Sequence, residues 1–95
     1  MSLPANQSTL LVTLATRAKF TCGIELAEEL PEMARSSVYA ALAALQRKGL
    51  LDARWDHQQS HPRRMVRISE AGRAVLAAEQ ARLRQLLGPA NAVQA

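Results

Sequence analysis

Three observations in the sequence predict a mainly α fold with one small β-hairpin. The first is RSSVYAALAALQRKG, residues 35–49, where Val38, Ala41, Leu42 and Leu45 recur at helical spacing and a glycine closes the pattern. The second is a pair of alternating segments, LLDARWD and RRMVRI, separated by the polar stretch HQQSHP. The third is a shorter helical stretch, GIELAEEL, residues 23–30, just ahead of the first. Two helices joined by a short turn and followed by a hairpin make a winged helix-turn-helix.

Taken in order, a first helix is expected from about Asn6 to Arg17, capped by Asn6 or Ser8, with Leu10, Leu11 and Leu14 on its apolar side. KFTC, residues 19–22, is long enough only for a minimal strand. In GIELAEEL the apolar positions are Ile24, Leu26, Ala27 and Leu30, and Pro31 stops the helix. The third helix runs from Arg35 to Lys48, with Arg47 and Lys48 in the last turn, where the helix dipole favours cations. In the hairpin, Leu51, Ala53 and Trp55 share one side and Asp52, Arg54 and Asp56 the other. In its second strand Val66 and Ile68 oppose Arg63, Met65 and Arg67. Ser69 caps a last helix to Leu87, whose apolar stripe is Ala71, Val75, Leu76, Leu83, Leu86 and Leu87. Gly88 and Pro89 end that helix, and the tail NAVQA is expected to fray. At 1.5 Å per residue the helix is about 28 Å long. That is long for 95 residues, so part of its stripe is expected to lack a partner in the same chain.

The length suits one domain, residues 1–95, near the low end for a self-sufficient core. No apolar run approaches the roughly 18 residues of a membrane span, and MSLPANQS lacks the basic and apolar regions of a signal peptide. The expectation is a cytoplasmic protein, encoded by a bacterial chromosome, a plasmid or a phage. The single cysteine, Cys22, excludes an internal disulfide, has no nearby His or Cys with which to bind zinc, and reads as a packing residue. His57 and His61 lack a third ligand, so no metal site is expected. There is no Gly-rich phosphate loop, and Ser36 and Ser37 have no supporting His and carboxylate. An enzyme is therefore not expected, and no cofactor is implied.

Charge divides the chain. Residues 1–34 set Arg17 and Lys19 against Glu25, Glu28, Glu29 and Glu32, a balance of −2. Residues 35–95 carry nine arginines and Lys48 against Asp52, Asp56, Glu70 and Glu79, a balance of +6. Arginine reads phosphates and guanine edges through its planar fork, so a basic half suggests a nucleic-acid partner, with scattered charge on a solvated surface as the alternative; the helix-turn-helix makes double-stranded DNA the expected partner.

In a helix-turn-helix the second helix enters the major groove and its N-terminal residues meet base edges. With Val38, Leu42 and Leu45 buried, the opposite face carries Ser36, Ala40, Ala43 and Arg47, flanked by Arg35, Ser37 and Tyr39. Alanines permit close approach and can meet thymine methyls, while hydroxyls and amide groups at the helix start bind phosphates. Tyr39 has two readings, a boundary residue with a packed ring or a phosphate contact. In the hairpin, Arg63 and Arg64 are the strongest candidates for contacts to phosphates or an adjacent minor groove. Arg54 and Arg67 are weaker, since each can simply face solvent.

From Cys22 to Leu76 the chain resembles the PadR-like winged-helix transcriptional regulators. GIELAEEL resembles their glycine–aromatic–Glu–Ile helix. SSVYAALAALQRKGLLDARWD is similar to their stretch in which a Tyr opens the recognition helix and Lys-Gly-Leu ends it. MVRISEAGRAVL resembles their wing strand followed by Thr-x-x-Gly. Looser relatives, the MarR-like regulators, share much of the latter half. There are departures: Ala34 stands where a Ser or Thr often caps the recognition helix, and Ile24 replaces the usual aromatic. Only one helix follows the wing, so the larger effector domain of longer members is not expected and an effector is left open.

The resemblance implies a dimeric DNA-binding repressor, with the helix at 69–88 contributing to dimerisation. The dimerisation residues are expected to be Leu10, Leu14, Val75, Leu76, Leu83, Leu86 and Leu87. The operator is expected to be palindromic, with half-sites about one helical turn apart. The alternative is a winged-helix protein-interaction module without specific DNA binding, which the alanine-rich face also suits.

Overall fold

The computed structural model describes residues 3–58 and 60–94, with side chains to Gly88. Its elements are α1 (Ala5–Ala15), β1 (Thr21–Cys22), α2 (Gly23–Glu29), α3 (Arg35–Arg47), β2 (Leu51–Asp56), β3 (Arg63–Ile68) and α4 (Glu70–Gln94). The fold is the expected winged helix-turn-helix, mainly α with a small antiparallel sheet. That sheet has three strands in the order β1-β3-β2, so the two residues of KFTC that form β1 flank the hairpin. β2 and β3 pair from Leu51↔Ile68 at the base to Asp56↔Arg63 near the tip.

The core is aliphatic. Leu10, Leu11 and Leu14 of α1 meet Leu26 of α2, Val38, Ala41, Leu42 and Leu45 of α3, and Leu51, Val66 and Ile68 of the sheet. Each fully buried leucine contributes about 2 kcal/mol by leaving water. Leu10 and Leu14 are 0% and 1% exposed, so they are spent inside the protomer. This corrects their expected place at a dimer surface: a side chain already enclosed by its own fold has no area left for a second chain.

Local chemistry accounts for the helix ends. α1 begins one residue earlier than expected, with Pro4 rather than Asn6 or Ser8 at its cap position, where the fixed φ of proline suits a helix start. α3 ends in a Schellman motif. The Leu50 N–H donates to the Leu45 carbonyl and the Gly49 N–H to the Gln46 carbonyl, both at 3.0 Å, with Gly49 at φ 75°. Ser69 caps α4 as expected: the Gly72 N–H donates to its Oγ at 3.0 Å. The same hydroxyl donates to the Gly49 carbonyl at 2.8 Å, and the Ser69 N–H donates to the Leu50 carbonyl at 3.0 Å. Gly72 lies so close to this junction that an added Cβ would sit 2.3 Å from the Leu50 oxygen and 2.8 Å from Ile68 Cγ1. The end of α3 and the start of α4 are thereby locked through backbone.

Two further expectations are corrected, for Ile24 and for the end of α4. Ile24 is exposed rather than core-facing, because α2 has only seven residues and buries Leu26 as its one fully enclosed side chain. Ala53 and Trp55 are exposed too, and only Leu51 of the β2 alternation reaches the core. A six-residue strand is about 20 Å long, roughly twice the width of the helix above it, so its outer half overhangs. At Gly88 the backbone leaves helical space (φ 77°, ψ 175°), breaking α4 where expected, but helical turns resume to Gln94. With extents of 55 × 27 × 23 Å and a radius of gyration of 15.2 Å, the chain is longer than a compact domain of its size, for which about 13 Å is typical. The projecting part of α4 accounts for that excess.

At the α2–α3 contact, Gly23 makes room for the Tyr39 ring: a Cβ there would stand 2.6 Å from Tyr39 Cε1.

Two predictions follow from these contacts. Gly72→Ala should destabilise the fold by about 3 kcal/mol, since backbone must move to admit the methyl. Gly49→Ala, in open space but at positive φ, should cost only about 1 kcal/mol. Urea unfolding of both variants checks the order, and equal losses would contradict the backbone lock. Gly23→Ala should be destabilising beside Tyr39 and close to neutral in a Tyr39→Ala background, which a double-mutant cycle measures.

Candidate nucleic-acid interface

α3 owes its exposed face to its position rather than to polarity. α1 covers one flank, α2 and the sheet the apolar stripe, and the remainder opens to solvent. Arg35, Ser36, Ala40, Ala43 and Arg47 are all exposed on it. Ser37 is half-buried and turns toward α1, where it lines a groove with Pro4, Asn6, Gln7, Ala40 and Ala41. Tyr39 is 42% exposed, with the near edge of its ring against Gly23. It is a boundary residue, packed along one side and open along the other. No side chain caps the start of α3, because Ala34 occupies the cap position. Lys48 lies outside this face, donating to Gln7 Oε1 at 2.6 Å and so tying α3 to α1.

The register of the hairpin assigns each wing residue to a face, since residues directly opposite in an antiparallel pair point the same way. Arg64 pairs with Trp55, and Val66 with Ala53, on the face that carries the core. Arg64 accordingly lines a cleft with Tyr39, Leu42, Ala43, Gln46 and Val66, between the wing and the recognition helix. Arg63 pairs with Asp56 on the opposite face. The structure thus brings Arg64 to the recognition helix and leaves Arg63 outside that cleft.

The second face has an organisation that sequence reasoning missed. The guanidinium carbons of Arg54 and Arg67 lie 4.2 Å and 4.4 Å from the centroid of the Phe20 ring. Arg67 also faces Asp52 at 3.7 Å. Two cations on one aromatic quadrupole hold the hairpin to the segment leading into β1, each contact worth about 0.5–1 kcal/mol at such an exposed site. Arg54 and Arg67 are therefore engaged within the chain. Phe20 stands one residue before a two-residue strand, too little pattern to disclose its neighbours. Leu51, Ala53 and Trp55 share one face of the hairpin, as expected, but only Leu51 is covered, because β2 is longer than the helix above it is wide.

The residues expected at a dimer surface fall into two groups. Val75 and Leu76 pack partly against the core. Leu83, Leu86 and Leu87 are exposed, the last two at 70% and 63%. With Leu3, Leu11 and Val12, residues Val75, Leu76 and Leu83 line an apolar groove of about 340 Å³ between α1 and α4.

Among the described residues no three His, Cys, Asp or Glu side chains come together to hold a metal, and no helix is long and apolar enough to cross a membrane. Cys22 is buried and reduced, a packing residue. Glu29, in the acidic stretch of α2, is ion-paired with Arg17.

Comparison with known proteins gives these features a family. Residues 11–78 match the model of the transcriptional regulator PadR-like family. No curated protein sequence matches the chain significantly. Among solved structures, the fold is shared with a PadR family transcriptional regulator from Eggerthella lenta (TM-score 0.72, 23% identity, 94% of this chain and 84% of that one). It is shared with Bacillus subtilis PadR, solved in complex with operator DNA (TM-score 0.71, 17% identity, 84% of this chain and 48% of that one). The adhesin competence repressor of Streptococcus pyogenes is also similar (TM-score 0.69, 16% identity, 98% of this chain and 65% of that one). A family model matched over well more than half of the chain, on a winged helix-turn-helix framework, settles the assignment: the protein belongs to the PadR-like family of transcriptional regulators, which are not enzymes.

Proposed function

We propose that this regulator is a sequence-specific DNA-binding repressor that acts in the cytoplasm as a homodimer, by occupying a palindromic operator. The observation that carries the reading is the cleft in which Arg64 of the wing faces Tyr39 and Ala43 of α3. It brings a small residue, a phenolic hydroxyl and an arginine together between the wing and α3. Ala40 and Ala43 allow α3 to sit deep in a major groove and meet thymine methyls. Arg35, Ser36, Ser37 and the uncapped first-turn amides of α3 face phosphates at the groove edge, with Tyr39 and Arg47 along the same helix. Arg64 takes a phosphate or the adjacent minor groove. Arg63 supplies charge from the outer face of the wing. That one structural neighbour was solved on operator DNA and another is named a repressor supports the extension to this chain.

Dimerisation follows from α4. Leu83, Leu86 and Leu87 form a helical stripe beyond the body, a contiguous apolar surface of the kind that monomeric proteins rarely leave open to water. A second copy related by a twofold axis would cover this stripe and the groove beside Val12, Val75 and Leu76. It would also place two copies of α3 on successive turns of one DNA face.

Fluorescence anisotropy with the duplex upstream of the protein's own gene, against a scrambled duplex, tests the reading. Binding should be sequence-dependent and fall with salt at a log–log slope of about −0.9 per phosphate neutralised. Arg64→Ala should weaken binding to both duplexes and flatten the slope by about one phosphate's worth, whereas Arg82→Ala on α4 should not. Equal, weak binding to both duplexes would favour a protein-interaction module. In sedimentation, Leu86→Asp with Leu87→Asp should convert dimer to monomer and reduce operator affinity at least about tenfold, since each half-site would then bind alone. A wild-type monomer with tight operator binding would contradict the dimeric reading.

A further inference from the structure

We propose that Trp55 is a DNA-contacting residue of the wing, laying its indole against the sugar–phosphate backbone that borders the groove entered by α3. The inference deepens the DNA-binding reading above and rests on it. Trp55 is 58% exposed, and it is the protein's single tryptophan. A single exposed aromatic is ordinary on a protein surface, and what distinguishes Trp55 is the neighbour its register gives it. The hairpin register places it opposite Arg64, on the face that looks toward the recognition helix. Arg64 already shares a cleft with Tyr39 and Ala43, so Trp55 continues that surface outward along the edge strand β2.

The other face of the hairpin is engaged internally. Phe20 lies against both Arg54 and Arg67, and Arg67 faces Asp52, which anchors the wing from behind. Of the wing's two faces, the one carrying Trp55 and Arg64 is the one that borders the cleft beside α3. Its chemistry fits a backbone contact. The apolar face of the indole can cover a deoxyribose while its ring N–H donates to a phosphate oxygen, and Arg64 beside it supplies the charge. The ring of His57, 6.5 Å from that of Trp55, extends the same rim. A contact of this kind carries little base information, so it should strengthen binding to all sequences.

The single tryptophan reports on itself. The wild-type protein is titrated with the unlabelled duplex from upstream of its own gene, while Trp55 emission and acrylamide quenching are followed. A labelled copy of the duplex reports binding by anisotropy in parallel. At saturation the emission should be quenched and the acrylamide quenching constant should fall about twofold or more. Trp55→Ala should weaken binding to specific and scrambled duplexes alike, by about tenfold, with an unchanged Tm because the side chain is not in the core. Trp55→Phe should recover part of the loss. Anisotropy that shows saturation while emission and quenching stay constant would overturn the proposal and leave DNA binding intact. Absence of any anisotropy change would overturn both readings. A concentration-dependent loss of acrylamide quenching without DNA would assign Trp55 to a protein contact instead and overturn the proposal.

Discussion

The contact on which the rest of the molecule depends is the approach of Gly72 to the Leu50 carbonyl. Three segments meet there: the Schellman turn that closes α3, the base of the β2–β3 ladder, and the first turn of α4. Ser69 joins them with one hydroxyl, which accepts from Gly72 and donates to Gly49. Because the contact is between backbones, no rotamer change can absorb an error in it. It fixes the angle at which the wing leaves the recognition helix and the direction in which α4 departs. The placement of the wing beside α3 and the direction of α4 are thus set by one junction of a few residues.

From that junction the hairpin acquires two unlike faces. The inner face begins as core at Leu51, Val66 and Ile68 and becomes solvent-facing at Trp55 and Arg64. The outer face is held by the Phe20 contacts to Arg54 and Arg67. Charge alone does not distinguish these arginines. Arg64 is presented toward α3 while Arg54 and Arg67 are taken up by an aromatic ring, so the basic balance of the second half overstates the charge left free on the wing. The exposed face of α3 is correspondingly spare, with alanines that permit close approach and few groups that hydrogen-bond.

The long α4 reflects the limits of a small core. Its first turns pack through Val75 and Leu76, and the remainder runs past the edge of the body with leucines exposed. A chain of 95 residues buries a smaller share of its surface than a larger domain, and association is a common way to recover the difference. The apolar groove at the root of α4 continues the exposed stripe, so the apolar surface there is one piece.

The sequence by itself determined the elements and their order. Val38, Ala41, Leu42 and Leu45 define the buried face of α3, Gly49 its end, and Ser69 the start of α4, because helical periodicity, a left-handed glycine and a capping hydroxyl are local chemistry. The resemblance in GIELAEEL, SSVYAALAALQRKGL and MVRISEAG was legible for the same reason, since those residues build the turn, the helix end and the cap. Tertiary structure decided what each apolar or basic side chain meets. Leu10 and Leu14 are as hydrophobic as Leu86 and Leu87, yet the first pair is enclosed by α3 and the sheet while the second extends beyond them. Trp55 alternates in phase with Leu51, but the strand outruns the helix that would have covered it. Arg63 and Arg64 are neighbours in sequence and lie on opposite faces of the wing, and Phe20 meets two arginines more than thirty residues away. Periodicity says which residues share a face. Only the packing of one element on another decides whether that face is buried, presented to a partner, or held against another part of the chain.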